Sequence, residues 1–345
     1  MDEAGARGRG PAAPAASPVP VEDRVAAAVA APSMHNAQPW RFQVRDDGCT
    51  IALHADPARL LPRADPDGRG LHISCGAAVL NLRLAAAVAG FRPAVQPLPD
   101  PAYPLLLAVV RLTAPYAASH LERELYAAIP ARHTNRGPFR DQPLPPGVQA
   151  ELTHAADEEG ALLHLLDHEE TVRILHLAVD AELSQLADPA YRAELARWVG
   201  GRRDRDGIPD SALGPRARAG PTPVRDFDPA RDVPVHYASF EATPQLAVLS
   251  THGSGPAEWL RAGQALQRVL LTATARGIAT TPLTQPLETA DAWLVRDPRA
   301  GIEQPQMILR LGYPEWPAPP TPRRPVQDVL DQPAARCLTR SAGAK

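Results

Sequence analysis

Two stretches of this chain share one pattern of small and apolar residues, and this repeat limits the folds that the chain can adopt. Gly76 aligns with Gly263 and Gly90 with Gly277, at an offset of 187 in both cases (263 − 76 and 277 − 90). At the same offset the further matches are Ala78 with Ala265, Leu84 with Leu271, and Ala86 with Ala273. If each stretch is a helix, apolar residues cover most of its circumference and a glycine ends it. This pattern predicts buried helices over 70–90 and 257–276.

In an Ala-rich chain, two unrelated buried helices can share glycine, alanine and leucine positions by composition alone. However, each predicted helix is followed by an apolar strand, over 105–112 and 307–311, and this favours an internal duplication. Two similar halves in one chain would form, within a monomer, the interface that a symmetric dimer forms between subunits.

We therefore predict an α+β chain of two related halves that form a pseudo-dimer. The first half spans 21–118 and the second spans 119–330, between a disordered tail at 1–20 and a further tail at 331–345. Residues 200–240 have no usable periodicity, which is typical of a lid-like insert, an interface arm or disorder. Hydrophobic periodicity predicts the remaining elements, namely helices over 21–31, 119–128, 146–159 and 169–187, a hairpin over 40–54, and strands over 161–166 and 246–250.

Charge, hydropathy and cysteine content limit the partners and the compartment that the sequence predicts. A formal net charge of −3 gives no electrostatic reason to expect binding to nucleic acid or to an anionic membrane. The sequence has no long uncharged apolar run, so neither a membrane span nor a signal peptide is predicted. The three cysteines, Cys49, Cys75 and Cys337, are odd in number and far apart, which argues against a disulfide framework and indicates a cytoplasmic protein.

A polar corner follows the first predicted helix. Between Pro32 and Pro39 lie Ser33, Asn36 and Gln38, whose short side chains can offer donors and acceptors to a planar heterocycle. The same residues also favour an ordinary capped turn before a strand, so the corner alone does not decide between the two interpretations.

A basic segment lies about a hundred residues later, Arg132-His133-Thr134-Asn135-Arg136. Guanidinium groups suit phosphate, and a threonine hydroxyl can add another donor. A solvated basic turn would have the same composition.

Together the two segments resemble the FMN-dependent nitroreductase superfamily. In that family an Arg-x-Ser/Thr-x-Arg/Lys segment precedes an Asn-x-Gln-Pro-Trp segment supplied by the other subunit, whereas here the order is reversed. The reversed order of the two segments resembles the arrangement in the Acg-type branch, whose fused halves mimic the homodimer. The stretches Leu71–Ala78 and Asp206–Pro209 are also similar to that branch, and the resemblance covers roughly residues 21–330.

The resemblance implies a binding site for one FMN per chain. Arg132 and Thr134 would bind the phosphate, Arg136 would approach the flavin N1/O2 edge, and Arg323 or Arg324 would complete the phosphate site. The other implied cofactor-binding residues are Pro32, Ser33, Asn36 and Gln38 along the flavin, and Thr281, Pro282 and Leu283 near N5. No second flavin site is expected, because residues 155–166 offer neither motif.

The resemblance implies an oxidoreductase that passes electrons from NAD(P)H through FMN to nitro- or quinone-type acceptors. An alternative is a flavin-sequestering or stress-related protein, in which residues 200–240 cover the flavin. A flavin-free stress or interaction protein is the third interpretation. We expect a monomeric pseudo-dimer or a weak homodimer.

Overall fold

The computed structural model describes residues 20–45, 48–218, 223–227, 236–289, 295 and 303–331. The predictions for the two tails, except at Pro20 and Asp331, fall outside the described residues. The same is true of Cys337 and of parts of the insert at 200–240.

The described chain contains both α-helices and β-strands, which follow one another singly or in short groups. The helices are α1 (Val21–Val29), α2 (Arg69–Val88), α3 (His120–Ala128), α4 (Pro146–Asp157), α5 (His168–Ala187), α6 (Pro189–Trp198) and α7 (Pro256–Ala275). The strands are β1 (Trp40–Val44), β2 (Thr50–Ala55), β3 (Phe91–Pro97), β4 (Leu106–Pro115), β5 (Leu162–Leu165), β6 (Arg216–Ala217), β7 (Tyr237–Ala238), β8 (Gln245–Thr251), β9 (Ala279–Leu283) and β10 (Gln304–Gly312).

Two four-stranded sheets have the same topology. The first has the order β1-β2-β4-β3 and the second the order β5-β8-β10-β9, and every pairing in both is antiparallel. In each half a helix precedes two strands, a long buried helix follows them, and two more strands complete the sheet. The α+β fold with two related halves is therefore confirmed. In the second half, the chain between β5 and β8 carries α5, α6 and the short parallel pair β6–β7.

The long helices α2 and α7 cross at the two aligned glycines. A Cβ atom built on Gly76 would lie 3.0 Å from the Gly263 Cα and would overlap the carbonyl oxygen of Leu260. Conversely, a Cβ atom on Gly263 would lie 2.9 Å from the Gly76 Cα and would overlap the carbonyl oxygen of Ile73. Since Ile73 and Leu260 are themselves 187 positions apart, these contacts are reciprocal, as at the interface of a symmetric dimer.

Polar groups at this interface are paired across it. The Asn81 side chain accepts a hydrogen bond from Gln267 Nε2 at 2.8 Å and donates one to the Ala27 carbonyl. Glu159 forms ion pairs of 2.6 Å with both Arg83 of α2 and Arg268 of α7.

After β10 the chain returns to the first half. The Phe42 N–H of β1 donates to the Val329 carbonyl at 2.7 Å, and the Asp331 N–H donates to the Phe42 carbonyl at 2.9 Å. This crossing segment, residues 321–331, carries Arg323 and Arg324 to the polar corner of the first half.

The structure bears on two expectations from the sequence, the state of the cysteines and the lack of a membrane span. The sequence argued against a disulfide framework, but Cys49 is disulfide-bonded, whereas the Cys75 thiol is free and buried. Within the described residues, α2 alone is long and apolar enough to cross a membrane, but 83% of its most apolar window is buried inside the protein. Its apolar character is therefore explained by packing against the first sheet, α1 and α7.

Candidate active site

A partly open cavity lies where the two halves meet. Four parts of the chain form its walls: the polar corner, the loop and first turns of α2, the basic segment with the β9 region, and the insert with the crossing segment. The residues that line the cavity include Pro32, Ser33, His35, Asn36, Asp65, Arg132, Thr134, Arg136, Arg225, Phe227, Thr281, Pro282, Gln285, Glu288, Thr321 and Arg323.

The polar corner has an unusual backbone. His35, Asn36 and Gln38 have positive φ angles of 50°, 54° and 52°, in the left-handed region that non-glycine residues seldom adopt. Two hydrogen bonds to Ser33 hold this shape: the Asn36 N–H donates to its carbonyl, and the Gln38 N–H donates to its Oγ, both at 2.9 Å. Strain of this kind persists only where surrounding contacts enforce it, and it is common at ligand sites.

The two amide side chains of the corner are used mainly within the protein. Asn36 Nδ2 donates to the carbonyls of Gly207 and Pro322 at 2.8 and 2.9 Å. Gln38 Nε2 donates to the Arg205 carbonyl at 2.9 Å, and its Oε1 accepts from the Arg324 N–H at 2.8 Å. These bonds fasten the corner to the insert and to the crossing segment.

The basic segment extends the edge of the second sheet. It follows α3 and the short turn Ile129–Ala131, and Thr134 pairs in parallel with Thr280 of β9. The Asn135 N–H donates to the Thr280 carbonyl at 3.0 Å, and the Thr281 hydroxyl donates to the Asn135 carbonyl. This pairing brings Arg132, Thr134 and Arg136 to the cavity beside Thr281.

The buried Arg132 and the partly buried Arg323 both line the cavity. Arg132 is 3% exposed; among the described residues its Nε has no partner and its Nη2 reaches only the Ala30 carbonyl at 3.5 Å. Arg323 donates to Asn36 Oδ1 at 3.1 Å and to the Thr321 hydroxyl at 2.8 Å, and its Nε has no partner within the same described part of the chain. Burial, with Arg323 nearby, lowers the pKa of Arg132 to about 9, and burial lowers the pKa of Arg323 to about 10. Both side chains therefore remain cationic at neutral pH.

Arg136, which is partly buried, adds a third cation to the cavity wall. Its Nη1 donates to the Ala212 carbonyl at 2.9 Å, and its guanidinium lies 5.1 Å from the centre of the Phe227 ring. Burial and the nearby Arg225 lower the pKa of Arg136 to about 10. Among the described residues, no carboxylate forms an ion pair with any of these three arginines. Because buried charges are normally paired, this arrangement favours an anionic ligand.

Arg225 and Phe227, both from the insert, also line the cavity. Arg225 donates to the Tyr191 hydroxyl and, at 3.0 Å, to Gln185 Oε1, and it lies 3.9 Å from Glu288. Phe227 lies close to both the Arg136 and the Arg225 guanidinium groups, each 5.1 Å from the ring centre. The insert therefore contributes an aromatic side chain to the cavity wall.

Comparisons with known proteins place the chain in a family. It is 35% identical over 313 residues to the Mycobacterium tuberculosis (strain H37Rv) protein named "Putative NAD(P)H nitroreductase Rv3131", and the match covers 89% of each chain. It is 32% identical over 321 residues to "Putative NAD(P)H nitroreductase acg" of the same strain, covering 90% of this chain and 95% of that one. This chain belongs to the nitroreductase family, in its Acg-type branch. No family model matches the chain.

Solved nitroreductases match parts of this family member at low similarity. The NADPH:FMN oxidoreductase of Vibrio harveyi, solved with NAD⁺, matches with a TM-score of 0.37 and 12% identity, covering 63% of this chain and 80% of that one. A nitroreductase of Bacteroides fragilis with bound FMN matches with a TM-score of 0.33 and 14% identity, covering 58% and 93%.

Most of the residues that the family resemblance implied lie together at the cavity. Those lining it are Pro32, Ser33, Asn36, Arg132, Thr134, Arg136, Thr281, Pro282 and Arg323. Gln38, Leu283 and Arg324 are not among the lining residues. Arg324 instead forms an ion pair of 3.2 Å with Asp56 and donates to the Asp328 carbonyl at 2.9 Å, so the structure separates the two C-terminal arginines that the sequence left equivalent.

Sequence reasoning missed the insert residues and the histidine of the corner. Arg225 and Phe227 lie in a stretch without periodicity, so no pattern indicated that they reach the cavity. His35 was visible between Ser33 and Asn36, but histidine has no place in the motif that carried the resemblance.

Proposed function

We propose that this chain binds one FMN between its two halves and transfers electrons from NAD(P)H to nitro- or quinone-type acceptors. The observation that carries the proposal is a group of three cavity arginines, the buried Arg132 and the partly buried Arg136 and Arg323, none of which has a carboxylate partner among the described residues. The names of the M. tuberculosis relatives support the choice of reaction.

The residues present fit the chemistry of the cofactor. Arg132, Arg323 and Thr134 would hold the phosphate, since two buried cations and a hydroxyl suit its charge and its acceptor oxygens. Arg136 would face the flavin N1/O2 edge and stabilise the negative charge of the reduced ring. The corner residues Pro32 and Ser33 would line the flavin from the first half.

The chemistry that FMN supplies when bound is two-electron transfer between a reduced nicotinamide and an acceptor. The protein binds and orients the cofactor, keeps Arg136 charged beside it, and excludes water from the cavity. A monomeric state with internal pseudo-symmetry is part of this proposal, because the crossing of α2 and α7 occupies the interface that a second subunit would otherwise supply. Cytoplasmic location remains a prediction from the sequence.

The position of Phe227 favours a second candidate function, an FMN-sequestering protein with little turnover. The ring contacts two guanidinium groups, and one of them, that of Arg225 two residues away, is itself bound by Tyr191 and Gln185. An insert held in this way would exclude substrates from the flavin.

Anaerobic mixing of the FMN-loaded protein with NADPH separates the two candidates. The reductase proposal predicts bleaching of the flavin absorbance within seconds at one FMN per chain. The sequestering alternative predicts that the wild-type flavin stays oxidised and that Phe227→Ala restores bleaching. Tyr237→Ala is the matched control, because Tyr237 belongs to the same insert and is 55% exposed. A folded protein that binds no FMN would contradict both candidates.

A further inference from the structure

His35 is a buried side chain in the cavity wall that the proposed function does not yet use. It lies at the polar corner with a φ of 50° and is 6% exposed. Its ring lies edge-on to Phe227, with the ring centres 6.2 Å apart. A histidine in a strained backbone conformation, facing a ligand cavity, requires a physical explanation.

Arg225 determines which nitrogen of His35 carries the proton. Its Nη1 lies 3.4 Å from His35 Nε2. Because arginine has donors and no acceptor, Nε2 must accept, and the proton of the neutral ring is then on Nδ1. Contacts with the Tyr191 hydroxyl and Gln185 Oε1 keep Arg225 in place, so the tautomer is fixed.

The surrounding charges keep His35 neutral. Burial is the largest cause, and the Arg225 and Arg136 cations add to it, so that the pKa of His35 lies well below its usual value. Two carboxylates also line the cavity, but both are engaged elsewhere. Asp65 accepts from the Gly70 and Leu71 N–H groups at 2.8 and 2.7 Å, and Glu288 accepts from Gln185 at 2.7 Å.

The remaining nitrogen, Nδ1, is a buried donor without a partner among the described residues. An unsatisfied buried N–H destabilises a protein by about 1–3 kcal/mol, and such groups often have a functional reason. His35 is one of the residues that line the cavity, so a ligand oxygen there can supply the missing acceptor.

We propose that the Nδ1–H of His35 donates a hydrogen bond to an oxygen of the electron acceptor, a quinone carbonyl or a nitro group, and stabilises the negative charge that develops there. This role rests on the proposed function and adds a catalytic residue to it. His35 gives up no proton, since the reaction quinone + NAD(P)H + H⁺ → hydroquinone + NAD(P)⁺ takes its proton from solvent. A fixed donor of this kind typically changes a rate by about 100-fold.

The tautomer can be measured on the FMN-loaded protein without turnover. We expect a long-range ¹H–¹⁵N NMR spectrum to contain one histidine with the proton on Nδ1 that does not titrate between pH 8 and pH 5, and His35→Asn to remove its signals. Arg225→Gln should allow both tautomers and move the pKa of His35 towards its usual value. A wild-type His35 protonated on Nε2, or titrating near pH 6.5, would overturn the proposal.

The rate test separates the two half-reactions. Asparagine tolerates a positive φ, so His35→Asn preserves the backbone while it removes the ring donor. We expect oxidation of the reduced flavin by 1,4-naphthoquinone to slow by about 100-fold in this variant, with flavin reduction by NADPH changed by less than about threefold. His164→Gln, at a half-exposed position outside the cavity, is the control and should change neither rate.

Reducing the flavin with dithionite makes the oxidation step measurable even if NADPH proves not to be the donor. Failure of NADPH to reduce the wild-type flavin would count against the proposed function alone. Equal loss in both half-reactions of His35→Asn, or no loss in the quinone step, would refute the role of His35.

Discussion

The two halves of this chain meet in two places that are built in opposite ways. At the crossing of α2 and α7 the backbones are in contact at Gly76 and Gly263, and the Glu159 carboxylate is paired with arginines of both helices. At the cavity the arginines Arg132 and Arg323 lie close enough for one to lower the pKa of the other, with no carboxylate bound to either among the described residues. At the crossing the charged groups are paired within the protein, whereas the cavity requires a ligand to balance its charge.

The largest effect should come from adding a methyl group at the crossing. We expect Gly76→Ala to destabilise the protein by more than about 3 kcal/mol, because the new Cβ meets backbone atoms of α7 that cannot move independently. Urea denaturation and the yield of soluble protein measure the loss. Gly147→Ala is the control, since no atom lies within 4 Å of a Cβ at that position and the change should be neutral or slightly stabilising. Equal stability of the two variants would refute the close crossing.

The second prediction compares two substitutions, one of the unpaired Arg132 at the cavity and one of the paired Arg83 at the crossing. We expect Arg132→Met to weaken FMN binding by about 100-fold, as charge-assisted hydrogen bonds to the phosphate are lost. The same substitution should raise the melting temperature of the FMN-free protein, because a buried charge without a partner is removed. Isothermal titration and thermal denaturation measure the two effects.

Arg83→Met is the matched substitution at the crossing. It leaves Glu159 with one fewer partner and should lower the melting temperature with and without FMN, while the FMN affinity changes by less than about threefold. If the two variants behaved alike, the contrast between the regions would be wrong.

The smallest effect concerns the side chains that hold the insert. Burial raises the pKa of Glu182, near Arg225, to about 7. Since the folded protein then binds this proton more tightly than the unfolded chain, Glu182 loses stabilising free energy as the pH rises from about 4.5 to 7. We expect Glu182→Gln to be more stable than the wild type by about 1–2 kcal/mol at pH 8 and equally stable near pH 4.5. Urea denaturation at both pH values checks this, and a difference that does not vary with pH would contradict it.

The repeat could be predicted from sequence because glycine and alanine mark close helix packing. The aligned glycines predicted both long helices, and Gly90 and Gly277 have the positive φ angles of 88° and 69° expected where each helix ends. The edge strands β3 and β9 were not predicted. Pro93, Pro97 and Pro282 argue against strands in a sequence, but an edge strand tolerates proline because one side of its backbone is unpaired.

The site was only partly predictable for a different reason. Arg132, Thr134 and Arg136 lie close together in sequence, so a local motif revealed them. Arg225 and Phe227 reach the cavity only through contacts with α5 and α6, and α6 itself was not predicted. The assignment of Arg323 to the cavity and of Arg324 to Asp56 depends on the path of the crossing segment, which local sequence does not encode.

Titration of the FMN-free protein with FMN and with riboflavin tests the central claim most directly, because the two ligands differ only in the phosphate. The unpaired cations Arg132 and Arg323 predict that FMN binds at least about 100-fold more tightly than riboflavin and that the difference shrinks strongly in Arg132→Met. Equal affinity for the two flavins in the wild type, measured by fluorescence quenching, would contradict the account.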